Sequence, residues 1–223
     1  ININEFDKEK SVVIDEIKQQ NDQPDENLFN YFLSRVWKDN NYGKTILGTE
    51  KDVQSLEVAD LENFHKRFYS KRNFCIAITG NLSKNNFEKY YDKNFSYQDK
   101  DESSKIDIHN ELNLIARTGR EVIDFNNIEF SRIFIAWRIP SLKNQRINIG
   151  FEILASILSV GRNSRLIKVL KEENNLVQSI YAEVNAGELG SLLIIEACCD
   201  QINLKNVEEK INEILKEVAS CKD

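Results

Sequence analysis

Methionine is missing from all 223 residues, and the sequence opens at Ile1 and stops at Asp223 directly behind an amphipathic pattern. Together these traits predict an incomplete portion of a longer polypeptide. The four cysteines, Cys75, Cys198, Cys199 and Cys221, contain no C-x-x-C pair and no paired framework. Cys75 and the Cys198-Cys199 step sit in strand-like apolar runs and read as small buried hydrophobes, which favours a reducing compartment. No apolar run approaches the roughly 20 residues that a bilayer-spanning helix needs, and no charged-then-apolar leader is present. Lysine and arginine form no phosphate-binding stripe, and a formal net charge of −6 argues against a nucleic-acid partner. The expectation is a soluble protein without a membrane span, in the cytoplasm rather than the periplasm or mitochondrial matrix.

What the sequence does hold is an ordinary globular mixture, 41% hydrophobic and 30% charged, long enough to bury a core in one domain or two. Helical spacing runs through residues 6–20. It resumes at Leu28, Phe29, Phe32, Leu33 and Val36 behind the break Asp22-Gln23-Pro24-Asp25. Residues 38–48 are rich in turn formers and read as a loop. Ser55 is expected to cap a helix carrying Val58, Leu61, Phe64, His65 and Phe68. The apolar run 73–79 predicts a central strand ended by Gly80-Asn81, and 84–91 a short helix. The polar stretch 97–105 reads as a linker between a first domain, 1–96, and a second, 106–223.

The second region repeats the grammar. Strands are predicted at 120–125, at 132–139 where Pro140 ends the ladder, at 179–184 and at 192–199. Helices are predicted at 148–158, 167–173 and 204–218, with a turn over 161–166. Strands interleaved with helices and hairpin-like neighbours predict an α+β fold: two domains of similar architecture, each a mostly antiparallel sheet packed by helices.

Two acids in the first helical segment stand out. Glu9 and Glu16 are seven residues apart, so at about 100° per residue they nearly coincide on the wheel. Both fall inside the apolar arc, between Val12 on one side and Phe6, Val13 and Ile17 on the other. An ionised carboxylate facing a core is costly and persists with a cation, a metal or a proton to neutralise it. Two readings are open: an inward acid pair that needs a divalent ion, or an imperfect arc with both acids reaching out at its rim.

Several segments, in order, resemble the insulinase/pitrilysin zinc metallopeptidases, in the version of the shorter bacterial and mitochondrial-processing-peptidase-like members. They are 9–17 (EKSVVIDEI), 42–50 (YGKTILGTE), 64–69 (FHKRFY), 76–81 (IAITGN), Arg138-Ile139-Pro140-Ser141 and the G-x-x-S-R-L turn from Gly161 to Leu166. The resemblance covers nearly the whole chain. It implies a zinc-dependent endopeptidase that cleaves extended peptides, with Zn2+ held by two histidines of an H-x-x-E-H helix and a third ligand from a downstream helix. The glutamate of that motif would act as general base on a zinc-polarised water. On the matching pattern Glu16 is the third zinc ligand, and Glu9 the acid that supports the site from behind it. The resemblance also implies a homodimer or heterodimer with a family member, closing around a peptide laid as an added strand on a sheet edge.

The departures carry equal weight. His65 and His109 are the two histidines, and neither sits in H-x-x-E-H. The general base and two ligands are therefore expected upstream of Ile1, and the chain by itself is expected to be inactive. His65 reads as a packed helix residue. In the second region Lys171 and Gln178 stand where the family often carries an arginine and a tyrosine, which puts substrate anchoring there in question. The competing expectations are a noncatalytic family subunit, structural or substrate-capturing, and an unrelated α+β binding domain.

Overall fold

The computed structural model describes residues 2–38, 40–69, 73, 75–81, 83–95, 116–125 and 128–220. The chain divides into two compact units, Ile1–Gln19 with Ile46–Asn110, and Gln20–Thr45 with Glu111–Asp223. The expected linker at 97–105 lies outside the described residues.

Helices make up the regular structure of the first unit, starting with α1 (Ile3–Asn21), whose last turn passes into the second unit. Next in the chain come α2 (Pro24–Val36), which belongs to the second unit, and then α3 (Glu50–Ser55), α4 (Val58–Phe68) and α5 (Lys84–Phe95) of the first. Ser55 is not a helix cap; it is the last residue of α3. Thr49 starts α3 through a capping box with Asp52, the Thr49 Oγ1 accepting from the Asp52 N–H at 3.2 Å and Asp52 Oδ2 accepting from the Thr49 N–H at 3.1 Å. At α4 the Asp60 carboxylate accepts from the Glu57 N–H at 2.8 Å. The far end of α3 is held by Lys10 of α1, whose Nζ donates to the carbonyls of Gln54 and Leu56 at 2.8 and 2.9 Å. A cation there meets the negative end of the helix dipole.

Residues 75–79, expected to form a strand, carry no regular element, and Cys75 is exposed rather than buried. A strand exists only through a ladder, and among the described residues the first unit offers no second strand to pair with it. The sheet expected for each domain is thus found in the second unit.

That sheet has three antiparallel strands in the order β1-β3-β2: β1 (Ser131–Ile139), β2 (Ser179–Asn185) and β3 (Ser191–Cys199). In the register Ile135 faces Ile195, and Ala182 faces Ile195 from the other side. Helix α6 (Gln145–Ser159) and helix α7 (Leu204–Ser220) supply Leu158, Val207, Ile211 and Ile214 to a core that includes Ile180, Ile195 and Ala197. On the opposite face Leu192 and Ile194 meet Trp37, with Phe29, Phe32 and Leu33 of α2 around them. Phe32 stacks on Phe134 at 5.1 Å between ring centroids. Covered on both sides, β3 is buried along its length except at Glu196. Each fully buried aliphatic side chain contributes about 1.5–3 kcal/mol.

Two details fix the strand edges. Ser159 at the end of α6 accepts from the Ala182 N–H at 2.8 Å through its Oγ, so the hydroxyl pins α6 to β2. Residues 120–125, expected as a strand, carry no regular element; side chains tie the segment down, Glu121 accepting from Tyr31 Oη at 2.8 Å and from Arg35 Nε at 2.7 Å, while Arg120 pairs with Glu208. The two bonds to Glu121 keep its carboxyl below the usual range.

Candidate functional site

Glu9 and Glu16 both lie on α1, two turns apart as the wheel requires, and both are exposed. The apolar arc they share is covered only in part: Val12 is 51% exposed, Phe6 and Val13 are half-buried, and Ile17 is buried. Phase on the helix is as the wheel predicts, and in this chain both carboxylates stand exposed. His65 is also exposed, on α4, its ring stacked on Tyr69 at 4.8 Å. Among the described residues no three of His, Cys, Asp and Glu gather where they could hold a metal. The residues present thus do not fit zinc by themselves: one carboxylate at Glu16, even with Glu9 behind it, is short of the three protein ligands that a catalytic zinc takes.

The second unit gathers several polar side chains beside the G-x-x-S-R-L turn. Gly161 has φ +87°, a left-handed conformation that glycine adopts without strain. Ser164, buried, locks the turn by donating from Oγ to the Gly161 carbonyl at 2.7 Å. Leu166, also buried, anchors the start of a π-helix over Ile167–Glu173, which replaces the ordinary short helix expected. π-Helices are rare and concentrate at functional sites. Its exit is closed by Asn174, whose Nδ2 donates to the Val169 carbonyl at 2.7 Å, and by Asn175 in the left-handed region at φ 48°.

Between this helix and β2 lies an open pocket of about 250 Å³. Ile167 and Ile180 form its apolar part, and Arg162, Lys171, Ser179 and Tyr181 its polar part. Arg162 donates to Glu172 at 2.6 Å, which draws the Glu172 carboxyl below its ordinary range. Of the two positions the sequence singled out in this region, Lys171 lines the pocket. Gln178 is exposed and its N–H donates to the Cys198 carbonyl at 2.8 Å, so its backbone has a structural task. Arg162, Ser179 and Tyr181 were missed by sequence reasoning; the turn motif that contains Arg162 was a signal for that residue, whereas Ser179 and Tyr181 come from β2.

A third polar cluster sits on the α2 side of the sheet. Arg132 pairs with Asp25 at 2.7 Å and donates to Cys198 Sγ at 2.7 Å. Burial pushes the Cys198 thiol up and takes that of Cys199 to about 11. Both thiols are buried in β3.

The peptidase M16 inactive-domain model matches residues 55–222. The chain belongs to the M16 peptidase family. M16 relatives include an uncharacterized zinc protease of Mycobacterium leprae, 23% identical over 97% of this chain and 48% of its own length. Another of Bacillus subtilis is 26% identical over 95% and 50%. The chain spans about half the length of the curated relatives it matches. Its fold is similar to that of a putative M16-like peptidase from Alicyclobacillus acidocaldarius, with a TM-score of 0.75 at 16% identity over 100% of this chain and 53% of that one. The M16 resemblance read from the sequence and its α+β class are thereby established. No helix among the described residues is long and apolar enough to cross a membrane.

Proposed function

We propose that this chain serves a zinc-dependent endopeptidase of the M16 type that cleaves extended peptides. In this reading the first unit lends one carboxylate, Glu16, to a zinc whose other ligands and general base lie outside this sequence. Glu9 stands behind it as a supporting acid. The second unit is noncatalytic and handles the peptide, and a second family member, identical or not, completes the enclosure. Zinc would supply Lewis-acid activation of water and carbonyl when bound. The observation that carries the reading is the M16 match across residues 55–222, supported by relatives named zinc proteases that align over 95–97% of the chain. The partly open arc around Val12, Glu9 and Glu16 is also what a helix would present if its acids met ligands from another segment.

The test is zinc content and peptide cleavage in the intact protein, wild type against Glu16→Gln. Loss of both in the variant is expected, and Glu9→Gln is expected to weaken them about 10–100-fold. A Glu16→Gln protein that binds zinc and cleaves normally would overturn the assignment. An intact protein that binds no zinc would instead favour the noncatalytic subunit, a partner that captures substrate without cutting it.

A further inference from the structure

Helix α6 is apolar on two sides. Toward the sheet it buries Asn148, Ala155, Leu158 and Ser159, and Ser159 fixes that side through its bonds to Ala182 of β2. At about 100° per residue Ile149, Ile153 and Ile157, with Val160 just past the helix end, fall together on the opposite side, facing away from the sheet. All four are at least half exposed. A helix that is hydrophobic all round belongs in an apolar environment on both sides. A row of aliphatic side chains running about 16 Å marks an interaction surface rather than ordinary scattered exposure.

The charges around this row have one sign. Between Ile149 and Val160 the one charged residue is Glu152, which stands about a quarter-turn off the row. Lys143 and Arg146 precede the row, and Arg162, Arg165 and Lys168 follow it, five cations to one carboxylate over residues 143–168 of a chain whose formal net charge is −6. Arg162 is taken by Glu172 at 2.6 Å and Lys168 by Glu173 at 3.8 Å. Lys143, Arg146 and Arg165 are exposed and have no ion pair among the described residues.

That pattern decides what covers the row. A second copy lying antiparallel would bring Lys143 and Arg146 level with Arg162 and Arg165 of its partner, and a parallel copy would set each cluster against itself, so like charges meet either way. A peptide helix docks into a groove, whereas this row is the crest of a helix. A bilayer surface containing anionic phospholipid supplies acyl chains for the row and negative headgroups for both ends. With 15 residues, α6 is about 22 Å long, short of the roughly 30 Å hydrocarbon core, so it would lie in the interface and not span it.

We propose that α6 is a membrane-contact helix through which this protein associates with anionic phospholipid surfaces. Ile149, Ile153, Ile157 and Val160 enter the boundary between headgroups and acyl chains, and Lys143, Arg146 and Arg165 meet the headgroups. The inference goes beyond the peptidase reading and stands or falls separately from it.

The test is co-sedimentation of the intact protein with vesicles of phosphatidylcholine alone or of phosphatidylcholine with phosphatidylserine. Three unpaired cations, at about fivefold each, predict binding about 100-fold tighter to the anionic vesicles at low salt, with the difference shrinking as ionic strength rises. Ile153→Ser with Ile157→Ser should weaken anionic-vesicle binding about 10-fold or more while leaving the thermal midpoint unchanged, because both side chains stand on the outward crest. Lys143→Gln with Arg146→Gln should remove about 20-fold of the anionic preference, and Lys143→Arg with Arg146→Lys should keep it. A thiol introduced by Ile153→Cys should react with maleimide in the lipid-free protein and be shielded by anionic vesicles, as read by peptide mapping. Equal binding to both vesicle types overturns the proposal, and so does binding to neither, which would give the row to a protein helix with acidic ends. A lipid-independent dimer that Ile153→Ser dissolves would overturn it in favour of a second copy. A thiol at position 153 that maleimide cannot reach without lipid would overturn it as well, because further polypeptide would already cover the row.

Discussion

Replacing Asn148 is expected to loosen the junction between β1 and α6 more than any other polar change in the second unit. Asn148 is 2% exposed, and its Nδ2 lies 2.7 Å from the Ser141 carbonyl, 3.0 Å from that of Pro140 and 3.2 Å from that of Asn144. An amide carries two hydrogens, and the Asn144 carbonyl already accepts from the Asn148 backbone N–H at 3.1 Å. Two bonds therefore count, those to the loop that leaves β1. At about 0.5–1.5 kcal/mol each, plus the penalty for carbonyls left short of a donor, Asn148→Ala should cost about 2–3 kcal/mol. For a protein of this size that is a fall in Tm of about 5–10 °C. Asn148→Asp should be worse at about pH 7, because it aims a carboxylate at three carbonyls, and Oδ1 has no compensating partner now. The introduced carboxyl would have its folded pKa raised above the unfolded value of about 4. Its penalty is then absent below that value and grows as pH rises through the folded pKa. Thermal and urea unfolding by circular dichroism at about pH 4 and pH 7 reads both effects. An Asn148→Ala midpoint equal to wild type, or an Asn148→Asp deficit that ignores pH, would contradict this account of the junction.

Two other outcomes concern burial and close approach. Burial holds the Glu196 carboxyl above its ordinary range, with Arg132 opposing and the Asp25 and Glu183 carboxylates adding to the rise. A raised folded pKa means no cost below the unfolded value and stability lost as pH rises through the folded one. Glu196→Gln should therefore flatten the pH profile of the urea midpoint between about pH 4 and pH 7, and an unchanged slope would count against it. A Cβ on Gly187 would stand 2.5 Å from the Gly190 carbonyl and 3.0 Å from the Tyr42 ring, whose hydroxyl accepts from the Leu189 N–H at 3.1 Å. Gly187→Ala should cost about 1–3 kcal/mol in the same denaturation assay, and a neutral result would mean that the loop yields freely.

What was legible in the sequence was whatever local chemistry decides. The run 132–139 closed by Pro140 became β1, and the apolar spacing of 204–218 became α7, because β-branched alternation and a 3.6-residue stripe carry their own signal. The runs 73–79 and 120–125 misled, since an apolar or β-branched composition says that a strand could form but not that a partner stands beside it. At the caps, Ser55 drew attention that belonged to Thr49 and Asp52, a pair visible three residues apart. For Glu9 and Glu16 the wheel gave the phase correctly, yet no single-helix pattern tells which neighbour covers a face. The pocket was half legible: Lys171 was named from the resemblance, whereas Tyr181 and Ser179 reach it only through the three-dimensional meeting of β2 with the π-helix. The departure from α-helical geometry over Ile167–Glu173 has no marker in residue type.

The bond from Ser159 to Ala182 also decides how this sheet can grow. An outermost strand offers a row of unspent donors and acceptors, and any stray extended chain can zip onto it. Here the middle of that row is consumed by a hydroxyl from the helix lying over it, so a foreign strand arriving along β2 would find its central rung already occupied. One small side chain thus acts as a stopper against misassembly, and Ser159→Ala should reveal itself as aggregation on heating more than as lost fold.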